Sequence, residues 1–191
     1  MKLLGSTTSP YVRRIRLYLA GHEVEFVNLD IFSEQDRSLL TQNNPAQKIP
    51  ALIDNEHCIY DSRVIYRHLN KKFNDNELTW QQENLLTLID AANDSMVSML
   101  LLSRSNIDTK QDNLFFNLQR ERVGQILLSL DKEVAKGSFK QWNYLSICLF
   151  CLLDWLSFRD LFHWQEHRAL LNFYQDALQI EGVVETDPRE L

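Results

Sequence analysis

The first third of the chain alternates between short apolar segments and amphipathic ones. Four segments rich in leucine, β-branched and aromatic side chains are predicted to be strands: residues 2–4, 24–29, 51–53 and 58–60. Three segments with apolar positions at helical spacing are predicted to be helices: residues 10–21, residues 33–40 and the segment that begins at Asp61 and Ser62. In the third helix we expect Val64, Ile65, His68 and Leu69 to form the inner face.

The remainder of the chain carries only helical periodicity. Four helices are predicted there: residues 78–102, 114–134, 144–162 and 168–178. The third of them is apolar almost all round, which is typical of a central helix enclosed by others. The polar residues 73–77 mark the change of pattern. We therefore predict a first domain at residues 1–72, a linker at 73–77 and an all-helical domain at 78–191.

The predicted fold class is α/β followed by all-α. The order β, α, β, α, β, β, α of the first domain is the thioredoxin-like pattern, and the second domain is a helical bundle. Right-handed crossovers in such a domain would place the turn at Ser9 near the loop at Pro50. Two motifs that are distant in sequence are thus expected to share one cleft.

Composition and charge narrow the classes of function. The chain has 191 residues, 45% of them hydrophobic, which is enough for a substantial core. Its 26 acidic and 20 basic residues give a formal net charge of −6, which disfavours a nucleic-acid partner because phosphate binding depends on Lys and Arg. Small molecules and proteins are the expected partners.

Cysteine content and hydropathy indicate a cytoplasmic protein with no membrane segment. Three cysteines are too few for a disulfide scaffold, and the N-terminal residues lack the features of a signal peptide. The longest apolar stretch, residues 145–156, is interrupted by Ser146 and Asp154 and is shorter than the ~20 residues of a membrane helix. We expect it to be a buried helix.

Ser9 is the first candidate for chemistry. It precedes Pro10, which suits the first position of a helix, and Val12, Ile15 and Leu19 supply the apolar face. The unpaired amides and the dipole of that helix favour an anion beside Ser9. A serine that only caps the helix is the common alternative.

Three segments together resemble the glutathione S-transferase family. They are Leu-Gly-Ser-Thr-Thr-Ser-Pro-Tyr-Val-Arg-Arg at residues 4–14, Asn-Pro-Ala-Gln-Lys-Ile-Pro-Ala-Leu-Ile-Asp at 44–54, and Tyr-Asp-Ser-Arg-Val-Ile-Tyr-Arg-His-Leu at 60–69. Residues 143–159 resemble the start of a central helix in the second domain of these proteins. The order Ser-Pro-aromatic resembles bacterial and plant serine-type members.

The resemblance implies that Ser9 contacts the sulfur of glutathione. A hydroxyl donor at a helix N-terminus favours the thiolate, which is the reactive form of a thiol. Thr7 or Thr8 takes this role if the turn is set differently. A serine cannot form a mixed disulfide, so disulfide reductase chemistry is disfavoured.

The other two segments imply the rest of a glutathione site. The Ile49–Pro50 bond is expected to be cis, with the backbone of Ile49 paired to the cysteinyl part of the tripeptide. Ser62 is expected to bind the γ-glutamyl carboxylate and Asp61 the γ-glutamyl ammonium, although either residue could serve only as a helix cap. Lys48 is either a ligand of the glycyl carboxylate or a solvated side chain.

The function implied by the resemblance is conjugation of the glutathione thiolate to a small apolar electrophile, as in detoxification. Glutathione is the co-substrate, no metal is required, and a homodimer is expected. The alternative is a non-catalytic stress or regulatory protein of the same fold that binds a protein partner. Peroxidase and dehalogenase activities would use the same residues with other electrophiles.

Three further groups of residues are given a structural interpretation. Cys148 and Cys151 lie in an apolar helix and are expected to be buried. His163 and His167 have helical spacing but lack a third metal ligand. The arginines that follow Tyr11 are expected to form a solvated or interface face: Arg13, Arg14 and Arg16.

Overall fold

The computed structural model describes residues 1–190. Four strands are present: β1 (Lys2–Gly5), β2 (Glu25–Asn28), β3 (Ala51–Asp54) and β4 (His57–Tyr60). The first three helices lie among and after them: α1 (Pro10–Tyr18), α2 (Glu34–Asn43) and α3 (Ser62–Phe73). Four more helices follow: α4 (Trp80–Arg104), α5 (Leu114–Lys136), α6 (Tyr144–Phe158) and α7 (Arg168–Ala177). The predicted βαβαββα order and the all-helical remainder are confirmed.

The four strands form one mixed sheet in the order β2-β1-β3-β4. β1 runs parallel to β2, with Leu4 opposite Val27, and the connection between them contains α1. β3 is antiparallel to both of its neighbours, β1 and β4. β3 and β4 form a hairpin, in which two antiparallel strands need only a short connection. The turn residues Asn55 and Glu56 supply it.

Alternation along β1 gives the sheet two apolar faces. Leu4 packs with Leu29, Leu40 and Ala51 on the side that α2 covers. Successive side chains of a strand point to opposite faces, so Leu3, which is fully buried, faces the other side. There α1 and α3 contact each other, and α3 contacts β3 and β4. The sheet is thus covered on both faces.

The inner face of α3 differs from the prediction at one position. Ile65 and Leu69 are fully buried as expected, but Val64 is 49% exposed and Tyr66 is buried in its place. The buried stripe therefore runs through residues 65, 66 and 69, one helix position further round than the apolar spacing suggested.

The chain divides into two compact units, with a boundary between Glu77 and Leu78. The second unit is Leu78–Leu178, and residues 179–190 belong with the first unit. This differs from the predicted division, which assigned all residues from 78 to the helical domain. The physical reason is that the C-terminal segment carries side chains and carbonyls that bind α1, as described below.

α6 is the central element of the helical unit. Every side chain from Tyr144 to Leu156 is buried, including Cys148 and Cys151, as the apolar pattern predicted. Asn143 caps the helix by accepting a hydrogen bond from the amide of Ser146 at 3.3 Å. The helix ends at Phe158, four residues earlier than predicted, because Asp160 adopts a left-handed conformation with φ of 50°.

Within residues 1–190, α4 is the one helix that is long and apolar enough to cross a membrane by length and composition. The core helix of a soluble protein passes the same test. In α4 the fully buried positions Leu86, Ile89 and Ala92 recur at helical spacing, which is the pattern of a helix packed against a protein core.

Gly5, the last residue of β1, lies in close contact with α1. A Cβ atom added there would lie 2.5 Å from Cγ2 and 2.8 Å from Cγ1 of Val12, which is fully buried. Gly5→Ala is therefore expected to destabilise the protein by about 2 kcal/mol through overpacking, measured by urea denaturation. The matched control is Gly124→Ala in helix α5, where the new Cβ would make an ordinary contact, at 3.8 Å, with Cζ of Phe162. That variant is expected to be neutral or slightly stabilised, and equal losses in both variants would contradict this explanation.

Candidate active site

The strand register brings the three predicted motifs to one end of the sheet. Leu4, near the end of β1, pairs with Ala51 at the start of β3, and Ala51 pairs with Tyr60 at the end of β4. Neighbouring strands lie about 4.8 Å apart, so these three positions span roughly 10 Å. The connection to α1, the loop before β3 and the start of α3 therefore leave the sheet side by side. The register thus puts the strand that leads into the turn at Ser9 beside the strand that follows Pro50, in agreement with the predicted proximity of the two.

Ser9 is the N-cap of α1. Its backbone is extended, with φ of −88° and ψ of 127°, and its Oγ accepts a hydrogen bond from the amide of Val12 at 3.4 Å. Pro10 occupies the first helical position, as predicted. Because Oγ is the acceptor in this bond, the hydroxyl proton can be donated to another group. The first turn of α1 contains no acidic residue.

The turn before Ser9 is held by its own polar groups. The amide of Thr7 donates to Oδ1 of Asn28 at 3.1 Å, and the amide of Ser9 donates to the carbonyl of Ser6 at 3.1 Å. The hydroxyls of Ser6 and Thr8 are 3.3 Å apart and share a hydrogen bond. Of the three candidate hydroxyls, that of Ser9 lies at the helix start. That the hydroxyl of Ser9, and not that of Thr7 or Thr8, contacts the sulfur of glutathione stays a prediction.

The Ile49–Pro50 bond is cis, as the family resemblance implied. Asn44 organises the loop before it: its Nδ2 donates to the carbonyl of Lys48 at 2.7 Å, and its Oδ1 accepts from the amide of Ala46 at 2.9 Å. Asn44 is 1% exposed, whereas the side chain of Lys48 is exposed. Both interpretations of Lys48, as a ligand or as a solvated side chain, are compatible with this position.

Asp61 and Ser62 begin α3 in different ways. Asp61 is the N-cap, and its Oδ1 accepts from the amides of Arg63 at 2.9 Å and Val64 at 3.4 Å. Its φ of 72° is unusual for a residue other than glycine and fixes the direction in which α3 leaves the sheet. Ser62 is the first helical residue and is 5% exposed. The ligand roles of both residues stay predictions.

The arginines of α1 are not on a solvated face. Arg13 is 3% exposed and Arg14 is fully buried, and the guanidinium of Arg14 lies 4.9 Å from the ring centroid of Tyr11. The predicted solvated or interface face is therefore wrong for these two residues. Burial and then the charge of Arg13 lower the pKa of Arg16. These side chains add positive charge to the helix that begins at Ser9, which favours an anion at its N-terminus.

Two residues of the site were not found from the sequence. Asn28 fixes the turn before Ser9, and Asn44 fixes the loop before the cis bond. A signal for Asn44 was present, because Asn followed by Pro is a common start of a turn in which the asparagine side chain bonds to nearby backbone. No local signal marked Asn28, whose partner is 21 residues away.

The remaining candidates for metal or redox chemistry belong to the second unit, Leu78–Leu178. Cys148 and Cys151 are buried in helix α6 and are not joined in a disulfide. Across residues 1–190, no group of three His, Cys, Asp or Glu side chains is arranged to hold a metal ion.

Comparisons with known proteins agree with this geometry. Residues 1–71 match the family model of the glutathione S-transferase N-terminal domain. The chain is 26% identical to the uncharacterized GST-like protein YibF of Escherichia coli, over 98% of each chain. A glutathione S-transferase of Methylobacillus flagellatus, solved with glutathione bound, is similar in structure with a TM-score of 0.86 at 23% identity over 98% of each chain. A glutathione transferase family member of Pseudomonas fluorescens, also solved with bound glutathione, has a TM-score of 0.81 at 26% identity over 98% of each chain. Residues 1–71 therefore match a glutathione S-transferase N-terminal domain, and the chain as a whole is similar to proteins of that family.

Proposed function

We propose that this protein is a soluble, cytoplasmic glutathione transferase that joins the sulfur of glutathione to a small apolar electrophile. The observation that supports this most is the register that brings the α1 start, the cis loop and the α3 start to one end of the sheet. An extended tripeptide can reach all three positions at once. The relatives from Methylobacillus and Pseudomonas were solved with glutathione bound, which supports the choice of ligand.

In this proposal Ser9 stabilises the thiolate. Its hydroxyl donates to the sulfur, while the helix N-terminus and the cations of α1 favour the negative charge. The thiol proton leaves to solvent, and the thiolate then forms a carbon–sulfur bond with the electrophile. With an aromatic halide, the halide departs with the electron pair of its bond to carbon. Binding both reactants together supplies the remaining rate enhancement.

The other motifs hold the remainder of glutathione. The backbone of Ile49, turned by the cis bond to Pro50, pairs with the cysteinyl unit as an added strand pairs with a sheet edge. Ser62 binds the γ-glutamyl carboxylate at the start of α3. Asp61 uses Oδ1 to cap the helix, so we assign Oδ2 to the γ-glutamyl ammonium. Lys48 lies beside the loop, where its exposed ammonium pairs with the glycyl carboxylate.

The direct test measures binding and turnover separately. Isothermal titration with glutathione reports binding, and conjugation of a generic aromatic halide reports turnover. We expect both for the wild-type protein, and light scattering should show the homodimer that we propose. Binding without turnover on a panel of electrophiles would instead favour the non-catalytic regulatory alternative. Absence of binding would overturn the glutathione site itself.

A variant at Ser62 tests the γ-glutamyl contact. Ser62→Ala is expected to weaken glutathione binding by about tenfold, because it removes one hydrogen bond to a charged group, and to leave kcat at saturating glutathione nearly unchanged. Initial rates over a range of glutathione concentrations give both constants. Ser38→Ala, on the exposed part of α2, is the matched control and should change neither constant. A fall in kcat with unchanged affinity would contradict this role.

A further inference from the structure

The C-terminal segment, residues 179–190, lies against α1 within the first unit. Val183 is 1% exposed and Thr186 is 7% exposed, although no helix or strand includes them. Gly182 lies close to the end of α1 and to the turn that follows it, since a Cβ atom added there would lie 3.6 Å from Cδ2 of Leu17 and 3.4 Å from Cβ of Ala20. Part of this segment is therefore buried, with Val183 and Thr186 as its buried side chains.

Arg13 is the polar link between α1 and residues 179–190. Its Nη2 donates to the carbonyl of Val183 at 2.9 Å, and its Nε donates to Oγ1 of Thr186 at 3.2 Å. Thr186 in turn donates to the carbonyl of Gly182 at 2.8 Å, which closes the turn that presents these acceptors. Arg16 adds a longer bond from Nη2 to the carbonyl of Glu185 at 3.4 Å. Two neighbouring turns of α1 are thus tied to one short segment.

The same residue also holds Ser9 through the backbone. The amide of Arg13 donates to the carbonyl of Ser9 at 3.0 Å, which is the first hydrogen bond of the helix. Arg13 therefore joins the N-cap, through its backbone, to the C-terminal segment, through its guanidinium. A rotation or shift of the first turn of α1 would move Ser9 and would also break the bonds to Val183 and Thr186.

We propose that Arg13 is a positioning residue for Ser9, and that residues 179–190 form a brace that fixes the first turn of α1 for thiolate stabilisation. This inference rests on the proposed transferase function. It assigns the C-terminal segment a role in catalysis, although this segment lies at the far end of the sequence from Ser9. The brace works by holding a hydroxyl in place and does not itself touch the substrate.

Arg13→Ala and Thr186→Val test the brace at its two ends. We expect Arg13→Ala to lower kcat by about tenfold, with the glutathione KM changed less than twofold, because Ser62 and the cis loop still hold the tripeptide. The pH dependence of kcat should shift to higher pH, and titration of the thiolate absorbance of bound glutathione should show the same shift. Thr186→Val removes the acceptor of Nε and the bond from Oγ1 to the carbonyl of Gly182, but it keeps the bond from Nη2 to the carbonyl of Val183. It should therefore show a smaller change in the same direction. Arg13→Lys keeps the charge and one donor and should recover part of the loss.

Hydrogen exchange of the amides of Val12 and Arg13 measures the brace without any ligand. Both variants should exchange faster there, whereas Arg37→Ala on α2 should match the wild type in exchange and kinetics. Faster exchange with unchanged kcat and pH profile would overturn the positioning role and leave a purely structural contact. Unchanged exchange in Arg13→Ala would overturn the brace itself. A wild type that does not bind glutathione would refute the proposed function, and the exchange data would still decide whether the brace exists.

Discussion

Replacing Ser9 with alanine is expected to lower kcat for conjugation by about a hundredfold, because the variant loses the only side-chain donor that we assign to the sulfur. The pH profile should shift to higher pH, since the bound thiol then ionises less readily. Affinity for glutathione should change little, because Ile49, Asp61 and Ser62 hold the rest of the tripeptide. Stopped-flow measurement of thiolate absorbance and steady-state kinetics with an aromatic halide both report this change.

The control must separate catalysis from helix capping. Ser9 and Ser33 are both N-cap serines whose Oγ accepts an amide three residues later, at 3.4 Å from Val12 and at 3.2 Å from Asp36. Either alanine variant should lose about 1 kcal/mol of stability. Only Ser9→Ala should lose activity, because Ser33 begins α2, whose start is not part of the proposed site.

If Ser9→Ala retained turnover, another residue of the turn would have to contact the sulfur. Thr8→Val and Thr7→Val would then be the informative variants. Thr8 shares a hydrogen bond with Ser6, so its hydroxyl would have to change partner to reach a thiol. Full activity in all three variants would leave only the helix N-terminus and the cations of α1 to stabilise the thiolate.

Local signals in the sequence were sufficient for the order of elements and for the motifs. The capping residues Ser9 and Asn143 and the start of α3 follow from side chains that bond to amides two or three residues away. The cis bond at Pro50 came from the family resemblance, because proline alone indicates cis in about 5% of cases. The expectation that the turn at Ser9 and the loop at Pro50 share one cleft followed from the predicted order of elements and their right-handed crossovers.

What the sequence did not show depends on contacts between distant residues. Arg13 bonds to a carbonyl 170 positions later, and no periodicity in α1 or in residues 179–190 indicates that pairing. A guanidinium in an amphipathic helix is usually solvated, and only a partner with acceptors for its donors allows it to be buried. The same cause explains why residues 179–190 group with the first unit, whereas the sequence pattern placed them with the helical domain. The burial of Asn44 likewise depends on a loop that folds back on itself.

A second large effect is expected at Asp54, the last residue of β3. Its carboxylate is 6% exposed and accepts from Nζ of Lys72 at 2.6 Å and from Nε2 of His68 at 2.8 Å. Both partners lie on α3, so this cluster ties the second half of that helix to the sheet. Asp54→Asn is expected to lower the free energy of unfolding by about 2 kcal/mol at neutral pH. Lys72 and His68 are each more than one-third exposed, so they can turn to solvent and the loss stays below that of a fully buried pair.

The pH dependence of this loss identifies its cause. Hydrogen bonds from Lys72 and then from His68 lower the pKa of Asp54 below its ordinary value of 3.8. A carboxyl whose pKa is lower in the folded state stabilises the protein above its unfolded pKa, and this contribution disappears as the pH falls through the folded value. Chemical denaturation of wild type and Asp54→Asn should therefore give a difference that is present at neutral pH and shrinks below about pH 4. Glu133→Gln is the matched control, because hydrogen bonds from Lys136 and then Ser138 also lower the pKa of Glu133. The side chain of Lys136 is 68% exposed, so we expect this variant to lose less than about 0.5 kcal/mol of the free energy of unfolding. A difference between wild type and Asp54→Asn that stayed the same down to strongly acidic pH would show that packing, and not the carboxylate charge, holds α3 to the sheet.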